Sequence, residues 1–352
     1  MRRLVQCLDW RAVVKKKGWI IALAPVVFCQ TLPVCAQIAV LQQDDPSTSS
    51  LSLQLMELQL DPLRLTELEK AINVRDYKPA EKILIEEAER DPRSPRSAKL
   101  LAIAGGIFFL DAQYLEAAIA WKKAEAIASL DDRSRFTLAM AYVKLNRRDG
   151  ARAELDKLAA AHPQDPLFLY WLGRLDYDAR DYSSAITRLQ KVIELDPKMM
   201  RAYDTLGLCF DYLGKFDEAV KNYNRAVELN RLQSKPSPWP HVDLAISFIA
   251  LNRLPEAEKN LREAVGYDPR LPQAHYQLGR VLEMQGDYQA GVESLKKAVA
   301  LNAEYPEPHY LLGKIYHRLG NDPLSKTEIA RFTELKNASE AQAAPESQKK
   351  QM

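Results

Sequence analysis

Three histidines, His241, His275 and His309, recur at intervals of 34 residues and are the first pattern in this chain that invites a chemical reading. Imidazole is a common zinc ligand, and three rings on one metal would leave an open catalytic position. The interval argues against that use. Each histidine holds the same place in one of three successive copies of a longer pattern. The rings therefore stand a helix pair apart, whereas zinc needs every ligand nitrogen about 2.0–2.1 Å from one point. Packing and hydrogen bonding between adjacent helix hairpins is the expected role. His162, in a turn, and His317, near the end of a helix, have no ligand cluster around them in sequence.

The other reactive patterns fare no better. Ser294-Leu295-Lys296-Lys297 matches the Ser-x-x-Lys of some acyl enzymes but lacks their companion motifs. The glycines form neither a phosphate loop nor a Gly-x-Gly-x-x-Gly turn. The acid pairs Asp131-Asp132 and Glu86-Glu87 read as a loop and a solvated helix face. No catalytic, metal or cofactor-binding set emerges, so a non-enzyme is expected.

What organises the chain is the stretch Pro166 to Lys198, PLFLYWLGRLDYDARDYSSAITRLQKVIELDPK. Leu169, Leu172, Gly173 and Asp176 mark one helix by spacings of three and four, and Ala185, Leu189 and Val192 mark a second. Asp196-Pro197 ends the unit, because proline cannot continue a helix and restricts the residue before it. The pattern recurs in eight copies starting near Asp61, Ala98, Asp132, Pro166, Met200, Pro238, Pro272 and Pro306. Slot 8 is small throughout the clear copies (Gly105, Ala139, Gly173, Gly207, Ala245, Gly279, Gly313), as is slot 20 (Ala117, Ala151, Ala185, Ala219, Ala257, Gly291, Ser325). A larger side chain at either slot would overpack the helix crossing.

This period and these small slots resemble the tetratricopeptide repeat family over about residues 61–336. Proline is missing from slot 32 in four copies, and slot 4 varies freely. The resemblance implies an all-α fold, an α-α superhelix built as a right-handed solenoid of helix hairpins. The first helices would line a concave face, and neighbouring hairpins would share one core. It also implies a protein or peptide as partner.

Residues 1–36 stand apart from the array. Arg2, Arg3, Arg11 and Lys15 to Lys17 precede an apolar run, Trp19 to Cys29, and then Thr31-Leu32-Pro33-Val34-Cys35-Ala36. A basic region, a short apolar core and small residues before a cut read as a signal peptide, the alternative being an uncleaved N-terminal anchor. The run is shorter than the roughly 20 residues a membrane span needs. The expectation is export to a periplasm or the exterior, or membrane attachment through this segment alone. Residues 37–60 are expected as a flexible linker and 337–352 as a disordered polar tail.

The leader holds six basic residues and one acidic residue, so 49 basic and 47 acidic become 43 and 46 after its removal, a net charge of −3. That balance argues against non-specific nucleic-acid binding, which depends on neutralising phosphates. Cys7, Cys29 and Cys35 lie in the leader, leaving only Cys209, so no internal disulfide can form after cleavage.

If the chain stacks as the resemblance implies, slots 2, 5, 9 and 12 of each first helix face the groove. Slots 5 and 9 pair Tyr170 with Arg174, Tyr276 with Arg280 and Tyr310 with Lys314, each four apart on one helical face. An aromatic ring beside a cation suits an extended peptide. It also suits a cation–π pair on a solvated surface. Asp204 holds slot 5 of the fifth copy, while Glu283, His317 and Arg318 give the last two copies a mixed polar end. Members of the family that bind acidic chaperone tails carry lysine and asparagine at slots 5 and 9. Phe136/Met140, Asp204/Leu208 and Val242/Ile246 depart from that pair. The insert Gln233 to Pro240 breaks the period and presents Trp239 at slot 2, as a plain loop or as an edge of the site.

These readings converge on an exported scaffold that binds a protein or peptide in its groove, in cell-envelope assembly, as a monomer or a weak self-associate. The alternatives are a recognition subunit whose partner chain carries the active site, and an oligomer built through the array ends.

Overall fold

The computed structural model describes residues 58–343. The expected leader, most of the expected linker and the end of the expected tail lie outside them. The described residues hold sixteen α-helices and no strand, paired as eight hairpins. The chain divides between Pro197 and Lys198 into two compact units.

The first unit contains α1 (Pro62–Asn73), α2 (Tyr77–Arg90), α3 (Pro95–Leu110), α4 (Tyr114–Glu125), α5 (Asp132–Lys144), α6 (Arg148–Ala161), α7 (Pro166–Asp178) and α8 (Tyr182–Leu195). The second contains α9 (Met200–Tyr212), α10 (Phe216–Asn230), α11 (Trp239–Ala250), α12 (Leu254–Tyr267), α13 (Pro272–Gln285), α14 (Tyr288–Leu301), α15 (Pro306–Arg318) and α16 (Asp322–Ala343). No described helix is long and apolar enough to cross a membrane.

Local chemistry sets the helix starts. The side chains of Asp61, Asp131 and Asp165 accept backbone N–H groups at the heads of α1, α5 and α7. Ser94 does the same for α3, with Pro95 in the first turn. That helix therefore begins three residues before the Ala98 expected from the period, since proline with its fixed φ is preorganised for the first turn.

Within the hairpins, slot 8 is small for a reason beyond the close crossing expected. A Cβ on Gly207 would lie 2.6 Å from Cε1 of Tyr223, and one on Gly105 2.7 Å from the Trp121 ring. Gly279 and Gly313 meet Leu295 and Ile329 in the same way. The glycine thus makes room for a large side chain at slot 24, one turn beyond the small slot 20. A Cβ on Gly279 or Gly313 would also crowd the backbone oxygen at slot 20, that of Gly291 at 3.1 Å and of Ser325 at 3.2 Å.

The hairpin turns need a left-handed residue. In the second unit Gly214, Asn252, Gly286 and Gly320 supply it, whereas the first unit uses Arg75, Ala112, Asn146 and Arg180, with φ from 55° to 65°.

Candidate functional site

Two of the three histidines pair the helices of their own hairpin rather than adjacent hairpins, contrary to the expectation above, while His275 reaches back to the turn that joins its hairpin to the preceding one. His241 Nδ1 lies 3.0 Å from Asn260 Oδ1 and His309 Nδ1 lies 2.6 Å from Glu328 Oε2, each pairing the two helices of one hairpin. His275 Nε2 is 2.8 Å from the Pro269 carbonyl in the preceding turn. All three rings are buried. Slot 4 points into the hairpin, so its polar groups must be satisfied there.

In the first unit the expected groove residues are taken up by packing. Tyr170 is 7% exposed and sits edge-on to Trp171 with centroids 5.7 Å apart. Phe136 and Met140, in the same slots one repeat earlier, are also buried. Arg174 lies over Tyr177 at 5.3 Å, and its Nε is 3.6 Å from Asp178 Oδ1. Its aromatic partner is therefore three residues ahead of it, not Tyr170 four behind.

In the second unit Asp204 is buried on α9. Asp211, two turns on, accepts hydrogen bonds from the hydroxyls of Ser247 (2.7 Å) and Tyr223 (2.9 Å). Burial pushes its carboxyl up to about 6 against those two bonds. Trp239, expected to be exposed, is half-buried and packs on the core around Val242 and Ala245. The reason is an anchor the period did not reveal. The fully buried Asn230 donates to the Ser237 carbonyl at 2.7 Å and accepts from its N–H at 2.8 Å, fixing the inserted loop against α10.

The remaining residues gather on α13 and α15. Tyr276 is half-buried and meets Tyr305 edge to face, with centroids 5.3 Å apart. Burial pushes both phenols up. Gln273, Tyr276 and Arg280 are spaced i, i+3, i+7 and so share one face of α13. Lys314 and Arg318 of α15 both turn to the buried Glu283, at 3.1 and 3.0 Å. Arg318 also donates to the Tyr288 hydroxyl at 3.0 Å. Tyr310 is 52% exposed, with its ring 5.3 Å from that of Phe332.

Arg280 differs from its counterparts. It is half-buried, its one hydrogen bond is a long 3.4 Å contact to Gln277 Oε1, and it joins no ion pair among the described residues. Nearby, Gln273 is 6% exposed, and its Oε1 has no hydrogen-bond partner among the described residues. Glu307, half-buried at the head of α15 and electrostatically coupled to Tyr276 and Tyr305, joins no ion pair either, and burial pushes its carboxyl up.

The structure thus brings Tyr276 and Arg280 together with three residues that sequence reasoning did not single out: Gln273, Tyr305 and Glu307. Tyr310 and Lys314 stand on the neighbouring helix. Tyr170 and Arg174 belong to the other unit. Reading slot 2 in every copy, rather than only at Trp239, would have found Gln273 and Glu307.

Eight helix hairpins with small crossing residues and no strand among the described residues define an all-α helical-repeat array. Family models described as tetratricopeptide repeat match residues 136–199 and 200–232, and one described as TPR repeat matches 284–320. The chain is a tetratricopeptide-repeat protein.

It is 29% identical over 119 residues to heat shock protein STI1 of Saccharomyces cerevisiae, covering 34% of this chain but only 20% of that protein. A tetratricopeptide repeat protein from Parabacteroides merdae shares the fold with a TM-score of 0.58 at 18% identity, over 75% of this chain and 98% of its own. PilW, described as a type IV pilus biogenesis factor, aligns at a TM-score of 0.52 and 17% identity over 57% of this chain and 91% of its own.

Proposed function

We propose that this chain is a non-catalytic scaffold that binds an extended segment of a partner protein on the α13–α15 face of its second unit. The observation that carries the reading is Arg280, a half-buried guanidinium beside an aromatic pair with no counter-charge among the described residues. A charge held partly out of water without a partner is costly. Its neighbours Lys314 and Arg318, by contrast, share the Glu283 carboxylate. An incoming peptide would supply what Arg280 lacks, and the rings of Tyr276 and Tyr310 would cover its apolar surface.

We further propose export, with residues 1–36 as the leader, and a role in cell-envelope assembly. Amino-terminal sequencing of the chain purified from its native host tests the first of these, a start near Gln37 being expected. Selection of peptides from a random display library on the purified chain tests the binding face. Selected peptides should lose at least tenfold in affinity on a Tyr276→Ala, Arg280→Ala double variant whose thermal melt is unchanged. Retained affinity on that variant would place binding elsewhere.

A further inference from the structure

We infer that the partner segment carries both signs of charge, an acidic side chain that meets Arg280 and a basic side chain that meets Glu307, with a backbone N–H on Gln273 Oε1. The inference rests on the peptide-binding reading above and specifies the chemistry of the peptide.

The argument is one of unspent groups around one aromatic pair. Arg280 and Glu307 both couple electrostatically to Tyr276, yet they form no ion pair with each other or with any other described residue. Glu283 is the nearest alternative carboxylate along α13, but it already binds Lys314 and Arg318. Two half-buried opposite charges flanking the same ring are best served by a ligand that brings two counter-charges. A phosphate or a nucleic-acid backbone would meet Arg280 but be repelled by Glu307. A uniformly acidic tail would meet the same repulsion, and a neutral peptide would leave both charges unanswered.

Gln273 adds direction. Its buried Oε1 can only accept, and with no donor among the described residues it is suited to the N–H of an extended main chain. Because Gln273, Tyr276 and Arg280 share one face of α13, a strand bonded at Gln273 would run past the Tyr276–Tyr305 rings toward Arg280. Alternate side chains of such a strand point the same way, so acid and base spaced by two or four residues would both face the protein.

The test is fluorescence anisotropy of the purified full chain with labelled nonapeptides. Four carry one Lys and one Glu, in either order and two or four residues apart, and a control carries Gln at both places. At least one charged peptide should bind tenfold or more tightly than the control. Arg280→Glu should weaken that peptide at least tenfold, and replacing the peptide's Glu by Lys should restore binding to Arg280→Glu. Arg280→Gln, a milder change, should weaken it without that rescue.

Equal binding of all five peptides, or failure of the charge swap to rescue a folded variant, would overturn the inference. In that case the peptide-binding reading survives if Tyr276→Ala still abolishes the common affinity. If none of the five binds, control included, and display selection also yields nothing, both fall together.

Discussion

The two units spend their buried charges differently. In the first, Glu87, Asp176, Glu154 and Glu125 are each met by two or three cations, while the buried Glu81 is met by Lys78 and the Gln113 amide. Glu87 holds Arg64, Arg90 and Arg96 at 3.1, 2.8 and 2.9 Å, and Asp176 holds Arg152 and Arg188 at 2.6 and 2.8 Å. Glu154 holds Arg135 at 2.7 Å and Lys157 at 3.0 Å, and Glu125 joins the same network through Arg135, Lys122 and Lys157. In the second unit Asp211 is met only by hydroxyls, and Arg280 by no carboxylate among the described residues. Charge in the first unit ties one repeat to the next. In the second, part of it is left available to something outside the chain.

The largest consequence concerns loss of a cation. Arg135→Ala removes one of the three cations that Glu125 and Glu154 share, leaving Lys122 and Lys157, and the loss of its two charged hydrogen bonds should cost about 2–3 kcal/mol. Arg280→Ala removes no ion pair and should change stability by no more than about 0.5 kcal/mol. Segment-resolved hydrogen exchange on the whole chain reads each cost in its own unit. Equal costs would erase the contrast.

The pH responses should have opposite signs. Burial alone would raise Glu125, but hydrogen bonds from Lys122 and Arg135 hold it down at about 2. Its folded-state pKa is therefore below the unfolded value, and its stabilisation is lost as pH falls from about 4.5 toward 2. Asp211, raised to about 6, lies above its unfolded value of 3.8, so its contribution is present below that value and is lost as pH rises through 6. Acidification from pH 7 to 5 should thus stabilise the second unit by about 1 kcal/mol, since only about one unit of the shift is expressed in that window. Asp211→Asn should remove that dependence. A flat exchange profile for α9–α11 across this range would contradict the assignment.

Packing, by contrast, should not distinguish the units. Gly105→Leu and Gly207→Leu should both destabilise by about 1–3 kcal/mol or more, because each drives a side chain into Trp121 or Tyr223. Gly106→Ala, with nothing within 4 Å of its Cβ, should be neutral or mildly stabilising. A further effect, of intermediate size, lies in the turns. Arg180→Gly should stabilise the first unit by about 1 kcal/mol by relieving a left-handed arginine, and Gly214→Ala should cost the second a similar amount. Thermal unfolding of each pair of variants checks both signs.

The hairpins were legible in the sequence because period, small slots and Asp-Pro stops recur, and repetition averages out local ambiguity. Slot 8 was read correctly as small, but its partner at slot 24 is set by side-chain direction along the helix rather than by spacing. Tyr170 and Tyr276 occupy the same slot with the same residue type, yet Tyr170 packs on Trp171 while Tyr276 keeps a half-open face with Tyr305. A repeat pattern cannot register that difference, because it depends on each tyrosine's non-equivalent neighbours. Arg280 and Lys314 were likewise equivalent in sequence. Only the three-dimensional reach of Glu283 shows that Lys314 has a carboxylate partner and that Arg280 has none among the described residues.

The decisive experiment places photoreactive benzoylphenylalanine at Tyr310 in one chain and at Tyr177 in another, each in the native host. Adducts are then identified by mass spectrometry with and without Arg280→Ala. A partner captured from position 310, lost on Arg280→Ala and not captured from 177, is the predicted result. A partner captured from 177 that survives Arg280→Ala would contradict it, and would move the binding face to the unit whose charges are already spent.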